Sequence, residues 1–256
     1  MQHKIVVGMP AKNEEWIIEK TLSAVSTFAH KIVVSDDQSI DRTKEICKSF
    51  DKVDLIEMEP HYWKDRQGGL QAQKILEGCY KYDPDYFLFL DADEIPTPDI
   101  VDFFEKHIDE NVALWKLGWY HLWGDQQHYR ADKYMCGVGN IKWDPQDGGQ
   151  RKGFIVKNIK NFRLKYDATQ QRKRPCNEPI NCPMPHSTTD KTRILHYGKI
   201  SPEFISGEKN KFYSLLEEHA GKGDFKQRMR HHTEAQRTDT LLLKECPPDW
   251  FWSSND

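Results

Sequence analysis

The chain has no run of about 18 consecutive apolar residues, so no helix able to cross a bilayer is encoded. Its first residues, MQHKIVVGMPAKNEE, hold only a short apolar stretch before acid follows, which lacks the form of an export signal. Cysteine is sparse and scattered: the six stand at 47, 79, 136, 176, 182 and 246, without the close spacing of a disulfide framework. Reduced thiols and a cytoplasmic setting are the expectation. Cys176, Cys182 and His186 have the residue types of a zinc site. The gap between the cysteines is wrong for a zinc knuckle and no fourth ligand is evident, so no zinc is expected. There is no internal repeat and no low-complexity segment. The net charge is only −3 with 30% charged residues, which excludes a strong global field.

At 256 residues the chain has room for one large domain, or for a domain with an appendage. Its charge is uneven. Residues 1–110 carry 13 Lys and Arg against 23 Asp and Glu, a balance of −10, and residues 111–256 carry 24 against 17, a balance of +7. An acidic half that holds a cation and a basic half that faces a polyanion would fit this asymmetry, as would two ordinary solvated surfaces.

The first third alternates two periodicities. Lys4–Met9, Lys31–Ser35, Val53–Met58 and Tyr86–Leu90 are short apolar runs that read as buried strands. Between them lie helical patterns: one carrying Trp16, Ile17, Ile18, Leu22 and Val25 and capped by Asn13 or Glu14, one capped by Asp41 and running to about Phe50, and one over Gln67–Lys81. Strands and helices at this spacing predict βαβ units and a mostly parallel sheet. Beyond about residue 110 the periodicity degrades. Val112–Tyr120 and Arg193–Tyr197 read as strands, residues 140–190 as loops and short strands, and Pro202 opens an amphipathic helix to about His219. The tail around Trp250 and Trp252 cannot be a regular helix, because Pro247 and Pro248 precede them.

One run carries more chemistry than any other: Tyr86-Phe-Leu-Phe-Leu ends in Asp91-Ala-Asp93-Glu94. A buried strand does not normally finish in clustered carboxylates, which repel one another and resist desolvation. A divalent cation carrying phosphate ligands removes the conflict, and hard oxygen donors suit Mg²⁺ or Mn²⁺. A solvated turn is the plain alternative. Three polar clusters, Pro10–Glu15, Asp36–Asp41 and Asp91–Glu94, all follow predicted strands, where ligands gather in parallel sheets.

Those three segments, Met9-Pro-Ala-Lys-Asn-Glu-Glu15, Val34-Ser-Asp-Asp-Gln-Ser-Ile-Asp-Arg-Thr43 and Leu90-Asp-Ala-Asp-Glu94, together resemble the inverting glycosyltransferases of family two. Gly69-Leu-Gln-Ala-Gln-Lys74 resembles the family's entry to its third helix. The resemblance implies an α/β fold of the GT-A type: a mostly parallel nucleotide-binding sheet flanked by helices, with an irregular C-terminal acceptor region. It assigns residues 1–110 to the nucleotide-sugar-binding half and 111–256 to the acceptor-binding half of the same domain. It further implies a UDP-sugar donor and a Mn²⁺ or Mg²⁺ cofactor. Asp37 would meet the base, with Pro10 and Ala11 as the wall beside it and Glu15 close by. Asp91 would meet the ribose or the metal shell, and Asp93 the metal. His196 is similar to the histidine that several GT-A enzymes use as a further metal ligand, though a hydrogen-bonded core histidine reads equally well.

The chain departs from the family in lacking a clear Glu-Asp pair for the catalytic base. Asp125, Asp144, Glu178 and Asp190 are candidates, with Glu178 and Asp190 at the more familiar distance after Asp93. Trp115, Trp119, Trp123 and Tyr129 suit either sugar stacking or a core. The basic stretches at 151–152, 172–174 and 228–232 fit a polyanionic glycan acceptor or lipopolysaccharide; nucleic acid is a further possibility. A sugar nucleotidyltransferase would need a glycine-rich phosphate loop after the first strand, and Pro10-Ala-Lys-Asn-Glu-Glu15 has none.

Overall fold

The computed structural model of the chain describes residues 2–59, 68–131, 150–159, 185–207 and 241–253. It forms two compact units. The first comprises Met1–Leu117, Gly153–Arg193 and Asp249–Asp256, and the second Gly118–Lys152 and Ile194–Pro248.

The first unit is built on strands β1 (Ile5–Ala11), β2 (Lys31–Asp36), β3 (Val53–Glu57) and β4 (Tyr86–Phe89). The helices between them are α1 (Ile18–Ser26), α2 (Thr43–Lys48) and α3 (Gly68–Tyr80). Short β5 (Glu94–Pro96) is followed by α4 (Ile100–Asp102) and a π-helical turn over Phe103–His107. Then come β6 (Leu114–His121), β7 (His128–Arg130), β8 (Gln150–Lys157) and β9 (His186–His196). The sheet order is β3-β2-β1-β4-β8-β6-β9-β5. β1 pairs in parallel with both β2 and β4, and β2 with β3, whereas β4 and β8 are antiparallel. The sheet is therefore parallel where the alternating pattern predicts it and mixed beyond.

The apolar runs are strands because both faces are covered. Ile5, Val6 and Val7 of β1, Ile32, Val33 and Val34 of β2 and Phe87 and Leu88 of β4 are fully buried. Ile75, Leu76 and Cys79 of α3 pack on Val6, Val33, Phe87 and Phe89. Burying each such side chain is worth roughly 1.5–3 kcal/mol. Two glycines let α3 lie this close. A Cβ on Gly8 would stand 2.6 Å from the Ile75 Cγ2 and 3.0 Å from the Phe89 ring, and one on Gly78 2.7 Å from the Val33 Cγ1. The tail makes only a single 3₁₀ turn at Pro248–Trp250. Trp252 then anchors on the first unit, its indole N–H donating to the Pro96 carbonyl at 2.7 Å.

In the second unit β7 pairs antiparallel with β10 (Leu243–Glu245). Its core includes Tyr120 against Tyr129, with ring centroids 5.0 Å apart, and a buried Arg130 whose guanidinium lies 4.6 Å from the Trp123 ring. The helix α5 (Pro202–Ile205) starts at Pro202 as expected, with the Ser201 hydroxyl accepting from the Phe204 N–H; residues 208–219 of the expected helix lie outside the described residues. It closes at Ser206, and Gly207 takes the left-handed φ of 77° that ends helices. Ile205, expected on a buried face, is 74% exposed.

β8 and the first half of β9 lie in the stretch expected to be loops and short strands. β9 begins His-Ser-Thr-Thr-Asp-Lys-Thr, which has neither apolar alternation nor an apolar run. Its partners in the sheet, rather than its own pattern, make it a strand.

Candidate active site

The registers Ala11↔Asp36 and Gly8↔Phe89 set the carboxyl ends of β2, β1 and β4 side by side. The three polar clusters consequently leave the sheet at one edge of the first unit. Pro10 lies opposite Ser35, and Asp37 continues the pairing, its N–H donating to the Ala11 carbonyl at 2.9 Å.

The two loops after β1 and β2 are laced to each other. The Asn13 N–H donates to the Ser39 hydroxyl at 2.8 Å, and the Asn13 Oδ1 accepts from the Ile40 N–H at 2.9 Å. The Glu14 N–H reaches the Thr43 hydroxyl at 2.8 Å and the Glu15 N–H the Asp41 Oδ2 at 3.0 Å. In return the Glu15 Oε2 accepts from the Arg42 N–H at 2.9 Å and lies 3.6 Å from the Arg42 guanidinium. Asn13 and Gln38 have left-handed backbones, with φ of 52° and 59°. Asparagine tolerates this conformation, while a glutamine is held in it by its surroundings. The first helix gains no side-chain cap from Asn13 or Glu14, contrary to the sequence pattern. Asn13 bonds across to the second loop, and the Glu14 carboxylate accepts from the Trp16 indole at 2.9 Å.

Asp41 takes the N–H and hydroxyl of Thr43 at 3.0 and 2.6 Å from one residue before the N-cap position, which is Arg42 and has no side-chain cap bond. Burial works against its charge, yet the bonds from the Thr43 hydroxyl and from the Glu15 and Thr43 amides outweigh it and hold the carboxyl below its usual value. Asp37 is 5% exposed. Lys12, to which the sequence pattern gives no role, places its ammonium 3.5 Å from the Asp37 Oδ2 and donates to the Asp37 carbonyl at 3.0 Å.

The loop after β4 is held from two sides. Glu94 is fully buried; its Oε2 accepts from the Asp91 N–H at 2.9 Å while its own N–H donates to the Asp91 carbonyl at 3.0 Å. The Thr21 hydroxyl of α1 donates to the Ala92 carbonyl at 2.7 Å. Of the three clustered carboxylates, Glu94 thus serves the turn itself. Asp91 is half-buried and Asp93 is 5% exposed. Two hard-oxygen donors spaced two residues apart fit Mg²⁺ or Mn²⁺, which keep positions for phosphate oxygens. Among the described residues no three His, Cys, Asp or Glu side chains gather into a cage.

In the second unit His196 ends β9 half-buried, its Nδ1 2.7 Å from the Nδ1 of His121, the buried last residue of β6. Trp119 packs on both rings, with centroids 4.2 and 5.1 Å away, and the Lys152 ammonium stands 4.0 Å from the Trp119 ring centre. Sequence reasoning missed His121. It lies one residue past the predicted strand Val112–Tyr120, and β6 extends to include it.

Trp115 and Tyr129 are buried core, Trp115 against Phe103 at 5.2 Å, whereas Trp119 and Trp123 remain half-buried. Asp125 closes a turn, accepting from the Gln127 and His128 amides at 2.7 and 2.9 Å. Asp190 is exposed on β9, its carbonyl accepting from the Arg193 guanidinium at 3.1 Å. Asp144, Glu178, Cys176, Cys182 and the basic stretches 172–174 and 228–232 lie outside the described residues. Cys47, Cys79 and Cys246 are buried free thiols; burial pushes those of Cys47 and Cys246 up to about 12, leaving both in the unreactive thiol form.

The sheet-edge loops and the order of elements are those of a GT-A glycosyltransferase fold. The chain belongs to glycosyltransferase family 2, whose sequence model, Glycosyl transferase family 2, matches residues 6–184. It is similar to glycosyltransferase GlyA of Streptococcus pneumoniae serotype 4, with 30% identity over 139 residues, covering 51% of this chain and 19% of that protein. The chain thus spans about a fifth of the length of that curated relative. The crystal structure of S. aureus TarS 1-349 shares the fold, with a TM-score of 0.52 at 15% identity over 92% of this chain and 73% of that one. Glucosyl-3-phosphoglycerate synthase from Mycobacterium tuberculosis, crystallised with Mn²⁺, UDP and glucosyl-3-phosphoglycerate, aligns with a TM-score of 0.34 at 20% identity over 47% and 45% of the two chains.

Proposed function

We propose that the protein transfers a sugar from a nucleoside diphosphate, UDP, to a hydroxyl of a glycan or other polyanionic acceptor. The observation that carries this reading is the placement of Asp37, Asp91 and Asp93 at the carboxyl ends of β2 and β4, the two strands that flank β1, in a family 2 chain. Within it, residues 1–110 form the nucleotide-sugar-binding half and residues 111–256 the acceptor-binding half. Asp37 accepts the imide N–H of the base, and Pro10 and Ala11 form the wall beside it, with Glu15 bracing that wall through Arg42. Asp91 faces the ribose or the metal shell.

Asp93 would hold a divalent cation, Mn²⁺ or Mg²⁺. Such an ion, when bound, neutralises the charge that grows on the diphosphate as it leaves. A carboxylate, Glu178 or Asp190, takes the proton of the acceptor hydroxyl on the face opposite the leaving diphosphate, which gives inversion at the anomeric carbon. The basic composition of residues 111–256 supports an anionic acceptor.

Calorimetry of UDP binding with and without Mn²⁺ tests the donor reading, followed by a hydrolysis screen over nucleotide-sugars. Metal-dependent UDP affinity is expected. Equal or absent affinity in both buffers would overturn it.

A further inference from the structure

We infer that Lys12 reads the base together with Asp37, making the protein selective for a uracil edge. This rests on the proposed role of Asp37 in binding the base. The Lys12 ammonium donates to the Asp37 carbonyl at 3.0 Å and stands 3.5 Å from one oxygen of its carboxylate. The Lys12 side chain is 34% exposed and that of Asp37 only 7%, so the amine lies on the outer side of a nearly buried acid. Both residues sit on the laced loops: Asn13 follows Lys12 and Gln38 follows Asp37, both with left-handed backbones. The Asp37 N–H is fixed to the Ala11 carbonyl, and the Asn13 amide to Ser39. Lys12 and Asp37 therefore present a cation and a carboxylate edge to edge from a frame that holds both backbones.

That pair has a definite complement. The edge of uracil places one N–H between two carbonyl oxygens, a donor flanked by acceptors. A carboxylate accepts the N–H, and an ammonium beside it donates to a flanking carbonyl. Cytosine carries a lone pair where uracil carries the N–H, so the carboxylate would face an acceptor, and a buried acceptor left without a donor is costly. Lys12 thereby determines specificity, acting on the base and not on the reacting atoms.

The test is a ligand–protein double cycle by calorimetry. UDP, 2-thio-UDP and 4-thio-UDP replace one carbonyl oxygen at a time by sulfur, a weak acceptor; 3-methyl-UDP blocks the N–H; CDP changes the base. Wild type is expected to lose roughly tenfold in affinity with one of the two thio analogues, the loss of one charge-assisted hydrogen bond. Lys12→Met should bind UDP roughly tenfold more weakly and bind that same analogue no worse than UDP, and Lys12→Arg should restore part of the discrimination. The 3-methyl penalty should survive in Lys12→Met, which shows Asp37 still in place. An unchanged thio penalty in Lys12→Met overturns the role of Lys12 alone, and a wild type that binds CDP as well as UDP overturns the Asp37 base contact on which that role rests. A wild type with no affinity for UDP overturns the donor reading and this inference with it.

Discussion

Glu94 and Asp91 bind each other reciprocally, side chain to amide at 2.9 Å and amide to carbonyl at 3.0 Å. This divides the labour within the acidic cluster. One of the three carboxylates, that of Glu94, shapes the turn.

Glu94→Ala is expected to unfold at a lower temperature, losing about 1–3 kcal/mol, because the Asp91 amide loses its carboxylate partner. Asp93→Ala should melt close to wild type while its transfer activity falls below detection. A calorimetric melt and a donor-turnover assay on both variants check this. Turnover by Asp93→Ala in chelated buffer would remove the metal role of Asp93.

His196→Ala is expected to weaken Mn²⁺ binding several-fold, as read by electron paramagnetic resonance of free Mn²⁺. Unchanged affinity would return His196 to a packing role against His121 and Trp119, with which it is already in contact.

Asp41 supplies a pH signature. Its folded carboxyl titrates below the unfolded value of about 3.9, so its contribution is fully present above that value and is lost as pH falls through the folded one. The melting-temperature gap between wild type and Asp41→Asn should be constant from neutral pH to about pH 5 and narrow below about pH 4. A gap independent of pH down to acid unfolding would contradict the bonding of Asp41 to Thr43 and Glu15.

Gly8→Ala is expected to cost about 1–3 kcal/mol, since the new methyl would stand 2.6 Å from Ile75 and the buried sheet cannot recede. Chemical denaturation measures it. Gly124→Ala, with nothing within 4 Å but a φ of 82°, should be strained by its backbone instead.

The donor-side fold was legible because its signals are local. The strands at Ile32 and Tyr86 end within one residue of their predicted boundaries and the strand at Ile5 two residues beyond, and the polar residues that follow each run are those that leave the sheet at one edge. What stayed illegible depends on distant partners. β8 and β9 are polar or irregular in pattern and become strands through the sheet. The Lys12–Asp37 and His121–His196 pairs join residues 25 and 75 positions apart, which no spacing rule reaches. Asn13 looked like a cap because its residue type favours one, yet the second loop offered its side chain a better partner in the Ile40 amide.

The laced loops carry one more consequence. Their amides at Asn13, Glu14, Glu15, Ile40 and Arg42 are satisfied by side chains of the protein itself. Under the proposed function, a nucleotide arriving there would meet loops already braced by the protein itself, and its encounter would be governed by diffusion and charge. Affinity changes made at this rim should then appear in how long the complex lasts and hardly at all in how fast it forms.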